Sequence, residues 1–151
     1  EDDTVCVVES ALRGGGVYIS SHLMPLATGI DINDVLLDEA LGISRDLKQI
    51  FACNKEAASG YICFYLPEGT VKSVNGVEDL HTLPFVHMVC MDAIQVGQKT
   101  ERMLHKGLRY GPILVSGSDR EDIEANIKTV QETLRVEVEC PDGTIRSIIW
   151  N

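Results

Sequence analysis

The first third of the chain changes from an apolar run into a glycine turn and then into helical periodicity. Residues 4–10 are rich in β-branched and other apolar side chains and predict a buried strand. The run GGGVYISSHLMPLATG predicts a turn and then a short helix whose early part is limited by Pro25. Further on, Asp31 is placed to cap a helix and Gly42 to end it in a left-handed conformation. The predicted apolar stripe of that helix comprises Ile32, Val35, Leu36, Ala40 and Leu41.

The pattern then changes from helical to strand-like. Residues 44–59 are mixed and polar, and they predict a connector with a short helix at KEAAS, residues 55–59. Beyond them, apolar runs separated by turn residues predict strands at GYICFYL, VKSVNG, FVHMVCM and GPILVSG, and a closing hairpin in VEVECPDGTIRSIIW. The segment VEDLHTL predicts two helical turns that Pro84 ends.

A second clear helix follows the fourth of these strands. Ser118 with Glu121 predicts a capping box, because a serine side chain and an acid three residues later can satisfy the first free amides of a helix. Its apolar stripe comprises Ile123, Ile127, Val130 and Leu134. Strands with two interspersed helices predict an α+β module, a mostly antiparallel sheet with helices on one face.

Composition narrows the class of partner. The chain has 151 residues, 44% of them hydrophobic, and a formal net charge of −10, which argues against nucleic acid or an anionic membrane as the main partner. No apolar run approaches the roughly 18 residues of a membrane span, and the start EDDTV has no basic signal region. The five cysteines form no C-x-x-C pair and share no ligand spacing with the histidines. We therefore expect a cytoplasmic protein with reduced cysteines and without a structural metal.

The residues around the glycine run are the strongest candidates for chemistry. Side chains two apart on a strand point to the same side, so Glu9, Ala11 and Arg13 would face one way. An acid that can hold Mg²⁺ beside an arginine that can bind phosphate suits nucleotide chemistry, and Gly14–Gly16 would let backbone amides approach the anion. The alternative is a Glu9–Arg13 salt bridge at a strand end, followed by an ordinary turn.

A polar segment offers a different kind of site. Residues 95–109 concentrate four basic side chains in an otherwise acidic chain, namely Lys99, Arg102, Lys106 and Arg109. They could form the anion site of a noncatalytic small-molecule-binding or dimerisation module, or simply a solvated loop. His22 and His105 are candidates for acid–base groups, although packed or solvated histidines need no such role.

The stretch VVESALRGGGVYISSHLMPLATGIDINDVLLDEALG closely resembles the end of the catalytic core of ATP-grasp ligases, particularly the carbamoyl-phosphate-synthetase-like and L-amino-acid-ligase-like branches. In that family an E-x-N-x-R strand precedes a glycine-rich turn and an ATG helix that leads to ALG. The segments GTVKSVNGVEDL, GLRYGPILVSGS and DREDIEANI are similar to the small C-terminal domain of the same ligases. The resemblance implies the end of an ATP-grasp core over residues 1–58 and a small α+β domain over residues 59–151.

The resemblance also implies roles for single residues. Glu9 matches the acid that binds the Mg²⁺ bridging the ATP phosphates, and Arg13 matches the arginine that contacts phosphate or the acyl-phosphate intermediate. Gly14, Gly15 and Gly16 match the substrate-side turn. Ala11 stands where the family usually has a metal-binding Asn, so one metal ligand is missing. The implied cofactors are ATP and Mg²⁺.

The same resemblance implies that other parts of the enzyme lie upstream. The N-terminal domain, a lid with an ATP-binding lysine and an earlier acidic metal ligand all normally precede the matching strand. We therefore expect a C-terminal segment or subunit of a carboxylate-amine or carbamoyl-phosphate-type ligase, inactive when isolated. Its partners would be the missing N-terminal portion, a small carboxylate and an amine. Apolar helix faces left uncovered in residues 1–58 would also favour homodimerisation.

Overall fold

A computed structural model of the protein describes residues 6, 14–52 and 57–150. Apart from Cys6, the strand predicted over residues 4–10 lies outside the described residues. The fold class is α+β, as predicted, with helices at the N-terminal side and two small antiparallel sheets beyond them.

The N-terminal part of the described chain is helical. It begins with a π-helical turn (Ile19–Leu23) that continues into α1 (Met24–Thr28), followed by α2 (Ile32–Ala40) and α3 (Leu47–Ala52). Pro25 lies within the first two positions of α1, where its missing N–H costs no helical hydrogen bond. The predicted connector therefore contains a helix, α3, that the polar sequence did not indicate. The helix predicted at KEAAS is wrong for Ala58 and Ser59, which begin a strand.

The predicted ends of α2 are confirmed, but its predicted apolar stripe is only partly buried. The Asp31 carboxylate accepts hydrogen bonds from the Asn33 and Asp34 amides at 2.9 and 3.4 Å, and Gly42 has φ +72°. Val35 is buried, whereas Leu36 and Leu41 are exposed. The helix thus forms as its sequence predicts while most of its leucines remain in contact with solvent.

Beyond α3, the residues that the structure describes form eight strands and two α-helices. The strands are β1 (Ala58–Tyr65), β2 (Gly69–Asn75), β3 (Val86–Val89), β4 (Lys99–Thr100), β5 (Tyr110–Gly117), β6 (Arg135–Glu139), β7 (Ile145–Arg146) and β8 (Ile149–Trp150). The helices are α4 (Val77–Thr82), which ends before Pro84 as predicted, and α5 (Arg120–Thr133). A 3₁₀ turn (Lys106–Leu108) precedes β5.

The strands divide over two sheets. The first has the order β3-β5-β1-β8 and the second the order β4-β2-β6-β7, and every neighbouring pair is antiparallel. The predicted C-terminal hairpin forms between β6 and β7, but β8 leaves it and pairs with β1, opposite Phe64 and Tyr65. The end of the described chain therefore ties the second sheet to the first.

One hydrophobic core joins both sheets to α5. Its buried members are Phe64, Leu66, Val71, Leu80, Met91, Ile94, Ile113, Val115, Ile123, Val130, Leu134, Val136 and Val138. The Phe64 ring lies 5.9 Å from the Tyr110 ring and 5.2 Å from the Trp150 ring, measured between centroids. Phe64 is fully buried, so these aromatic contacts form where three strands of the first sheet meet.

Helix α5 begins one residue later than the predicted capping box requires. Asp119, not Ser118, is the N-cap, and its carboxylate accepts from the Asp122 amide at 2.9 Å. The Asp122 carboxylate in turn accepts from the Ser118 amide at 2.7 Å, so Glu121 has no part in the exchange. Aspartate caps helices as well as serine does, so the capping chemistry alone does not distinguish the two adjacent positions.

Gly117 lets α5 lie close to the first sheet. A Cβ on Gly117 would lie 2.5 Å from the Ile123 amide nitrogen, which is closer than atoms can approach. A Cβ on Gly60, in the adjacent strand, would touch the Ile123 side chain at 3.6 Å. The absence of a side chain at position 117 therefore fixes how closely the helix packs.

Two hydrogen bonds connect the N-terminal helices to β1. The Ser59 hydroxyl donates to the Leu23 carbonyl at 2.7 Å, and the Ala57 amide donates to the Ala27 carbonyl at 3.2 Å. They lie at the expected boundary between residues 1–58 and 59–151. That domain division stays a prediction.

Replacing Ile123 with alanine should destabilise the protein by about 2–5 kcal/mol, because it removes buried methyl groups and leaves a cavity against the glycines. Lys128→Ala, on the exposed side of α5, is the matched control and should change the unfolding free energy by less than about 0.5 kcal/mol. Urea unfolding measures both. Equal midpoints for the two variants would contradict this packing of α5.

Candidate functional site

The structure describes only part of the site predicted from the sequence. Glu9, Ala11 and Arg13 lie outside the described residues, so their predicted roles remain predictions. Gly14, Gly15 and Gly16 are described and are exposed, immediately before the π-helical turn.

Gly14 and Gly15 allow a close approach of the chain. Neither Gly15 nor Gly16 has a positive φ, whereas Val17 and Tyr18 have φ +52° and +60°. A Cβ on Gly14 would lie 2.6 Å from the Ser20 hydroxyl oxygen, and one on Gly15 would lie 2.9 Å from the Ile19 Cβ. The first helical residues therefore fold back onto the glycine backbone. A positive φ at a β-branched residue is rare and costs free energy, so the turn at Val17 is strained.

Carbonyl groups of the turn accept hydrogen bonds from described residues, whereas the Gly15 and Gly16 amides donate none to them. The Gly16 carbonyl accepts from the Ile19 amide at 3.2 Å, and the Gly15 carbonyl accepts from the Ser20 hydroxyl at 3.3 Å. Between described residues, no hydrogen bond has the Gly15 or Gly16 amide as its donor. Two consecutive exposed amides without an internal acceptor can bind an anion.

His22 is held in one orientation beside this turn. Its Nδ1 lies 2.8 Å from the Ser21 hydroxyl, and its ring meets the Tyr18 ring edge-to-face with centroids 5.2 Å apart. His105 has a local structural role instead, since its Nδ1 accepts from the Gly107 amide at 3.1 Å. This arrangement of His22 depends on the π-helical turn and on the left-handed backbone conformation of Tyr18. Neither feature has a recognisable signature in the sequence.

The basic side chains of residues 95–109 do not assemble into one anion site. Lys99 and Arg102 line two grooves beside the turn after β6, of about 450 and 560 Å³. Arg109 lines a separate groove of about 240 Å³ with Cys90 and Tyr110. The structure therefore does not support the clustered anion site that a binding module would need at this segment.

Among the described residues, no group of three or more His, Cys, Asp or Glu side chains could hold a metal ion. The predicted metal ligand, Glu9, is not among those residues. Within the described part of the chain, no helix combines the length and apolarity needed to cross a membrane.

The surroundings of Cys63 change the pKa of its thiol. Burial raises the pKa of this thiol, the Arg109 guanidinium lowers it in part, and Cys90 adds a smaller raising effect. Cys63 and Cys140 are buried, whereas Cys6 is exposed, and all three are free thiols. Two of these three cysteines thus act as small buried hydrophobes, as predicted.

Comparisons with known proteins match this fold. Residues 62–139 match the family described as L-amino acid ligase C-terminal domain 2. Among solved structures, L-amino acid ligase from Bacillus licheniformis has a similar fold, with a TM-score of 0.60 and 22% sequence identity. The match covers 81% of this chain and 30% of that one, so the chain spans less than a third of that ligase. No curated protein sequence matches significantly.

Gly15→Ala should lower the melting temperature by several degrees, because the new Cβ would overlap the Ile19 side chain. Gly16→Ala is the matched control: nothing lies within 4 Å of the new Cβ, and the residue has no positive φ. Thermal unfolding followed by circular dichroism compares the two. A larger loss for Gly16→Ala would show that the turn is built differently.

Cys63 should react with maleimide far more slowly than Cys6 at pH 8, since burial limits access and its raised pKa leaves little thiolate. Arg109→Gln should slow Cys63 further by removing the charge that favours the thiolate. Site-resolved mass spectrometry follows both thiols, and denaturant should make their rates similar. Equal rates in the native protein would contradict the burial of Cys63.

Proposed function

Since the chain belongs to the L-amino acid ligase family through its second C-terminal domain, we propose that it completes an enzyme that uses ATP to join a carboxylate to an amine. The family match over residues 62–139 is the observation that carries this proposal. In the whole enzyme, ATP phosphorylates a small carboxylate, and the amine of a second substrate then displaces the phosphate. Chemically, the protein's task is to position the reactants and stabilise negative charge.

The glycine turn is the phosphate-binding part of the proposed site. The Gly15 and Gly16 amides have no acceptor among the described residues, and they are exposed. Arg13 comes two residues before Gly15, so its guanidinium would act on the same anion. Two amides and a guanidinium can contact a phosphoryl group from several sides, and the guanidinium can do so through two parallel hydrogen bonds.

Glu9 is the proposed ligand for Mg²⁺. Magnesium in ATP-dependent enzymes is usually held by one or two carboxylates together with the substrate phosphates, so a single glutamate beside a phosphate site fits as a donor set. Mg²⁺ bound there would neutralise charge on the ATP phosphates. Ala11 offers no ligand atom, and we propose that water or an upstream residue completes the coordination.

The rest of the enzyme would supply what these residues lack. We propose that the adenine pocket, the lid lysine and a second acidic ligand belong to an N-terminal portion, and that residues 1–58 complete its catalytic core. The free thiols and the use of ATP favour a cytoplasmic location. The isolated chain should not hydrolyse ATP, because one carboxylate and one arginine cannot hold the nucleotide.

In the complete enzyme, Glu9→Gln should lower ADP release by about 10²-fold or more, the loss typical of removing one electrostatic stabiliser of a transition state. Arg13→Lys should also be strongly damaging, because an ammonium cannot make the paired hydrogen bonds of a guanidinium. The assay is Mg²⁺-dependent ADP release stimulated by carboxylate and amine.

Glu124→Gln and Arg120→Lys are the matched controls for these two variants. Arg120 and Glu124 form an exposed ion pair on α5 at 2.9 Å, so their loss should leave turnover unchanged. Full activity of both site variants would remove the catalytic role of this turn and favour the noncatalytic binding module.

A further inference from the structure

Exposed apolar side chains are concentrated in the N-terminal helices. Among the described residues, seven large hydrophobic residues with exposed surfaces lie between positions 17 and 43, whereas the longer part 57–150 has five. The seven are Val17, Tyr18, Ile19, Leu36, Leu37, Leu41 and Ile43. A contiguous apolar surface on a folded chain commonly marks a site where another surface packs.

Helix α2 and its C-cap contribute three of these seven side chains. Val35 is buried, and Leu37 follows it by a rotation of about 200°, so Leu37 points away from the side that is already packed. Leu41 lies one turn beyond Leu37, and Leu36 lies beside it. Their exposed fractions are 56% for Leu36, 61% for Leu37 and 73% for Leu41. We call these three leucines the α2 face.

Acidic side chains border the α2 face on both edges. Helical periodicity places Asp34 and Asp38 along one edge and Glu39 along the other. Arg45 pairs with Asp38, but no ion pair between described residues includes Asp34 or Glu39. The surface to be covered is therefore apolar at its centre and negatively charged at its rim.

We infer that the α2 face packs against the N-terminal portion of the same ligase, on an apolar surface edged by lysine or arginine. This inference rests on the proposed function, because it takes the chain as part of a larger enzyme. A solved ligase of this fold has 70% of its length beyond the matched region, since the match covers 30% of that chain. Such a portion is large enough to supply the covering surface.

The charge of the rim disfavours the other occupants. A second copy of the chain would bring two acidic rims together, because both edges of the α2 face carry acids. An anionic lipid surface would repel the same rim. A partner with basic residues around an apolar centre would gain both burial and charge complementarity.

Hydrogen exchange of the complete ligase and of the 151-residue chain tests whether the N-terminal portion covers the α2 face. Amides of α2 should exchange at least about tenfold more slowly in the complete ligase, because a covered helix opens less often. Amides of α5, which is packed in both proteins, should exchange at similar rates. Unchanged exchange in α2 would overturn the inference.

Two leucine variants test the contact itself. Leu41→Gln should lower the melting temperature of the complete ligase by about 2–4 °C, while Leu104→Gln should not change it. Leu41 and Leu104 are 73% and 76% exposed, so the two substitutions are matched in the chain alone and should both be silent there. Equal effects in the complete ligase would also overturn the inference.

Glu39→Lys should affect the stability of the two proteins differently. In the 151-residue chain it places a positive charge near the C-terminal end of α2, which favours the helix and should not lower its stability. In the complete ligase it should lower the melting temperature by opposing a basic rim. A gain or no change in the complete ligase would contradict the proposed partner surface.

Sedimentation of the 151-residue chain tests whether a second copy of the chain covers the α2 face. A dimer that Leu41→Gln dissociates would make a second copy the occupant and would overturn the inference, whereas a monomer supports it. These readouts do not depend on turnover. A covered α2 face without ATP-dependent ligation would therefore reject the proposed function alone, and ligation with an uncovered face would reject only this inference.

Discussion

The close approach of α5 to the first sheet determines how the rest of the C-terminal part is arranged. Gly117 has no room for a Cβ beside the Ile123 backbone, so the helix can pack at this distance only because the strand carries a glycine there. Val130 of α5 and Leu134, directly after it, lie in a core that includes residues of the second sheet. The buried side chains of that sheet in this core are Val71, Val136 and Val138. The two sheets therefore depend on one helix for their common core, and β8 adds a direct link between them.

Local sequence patterns predicted most elements because each had its own signal. Asp31 and Gly42 marked α2, Pro84 marked the end of α4, and continuous apolar runs marked β1 and β5. The strand order, by contrast, could not be predicted: β8 pairs with β1 instead of extending the hairpin, and a strand of two residues carries no sequence signal for a distant partner. The sequence did not distinguish the cap at Asp119 from one at Ser118, because the two adjacent residues are equally suitable in chemistry.

The candidate site was predictable in residue type but not in geometry. The glycine run indicated a backbone that something approaches closely, and the structure identifies the first helical residues, Ile19 and Ser20, as one such neighbour. Left-handed angles at Val17 and Tyr18 could not be read from the sequence, since such angles normally favour glycine. Periodicity placed Leu36 and Leu41 in the apolar stripe of α2 but left out Leu37, and it cannot show which surface covers an apolar face.

The most direct measurement is a crystal structure of the complete ligase with Mg²⁺ and a non-hydrolysable ATP analogue. The account predicts a Glu9 carboxylate oxygen about 2.0–2.1 Å from Mg²⁺. It also predicts that the Gly15 and Gly16 amides, together with the Arg13 guanidinium, lie within hydrogen-bond distance of a phosphate or of the acidic substrate. A nucleotide and metal bound with all four of these residues remote from them would contradict the account.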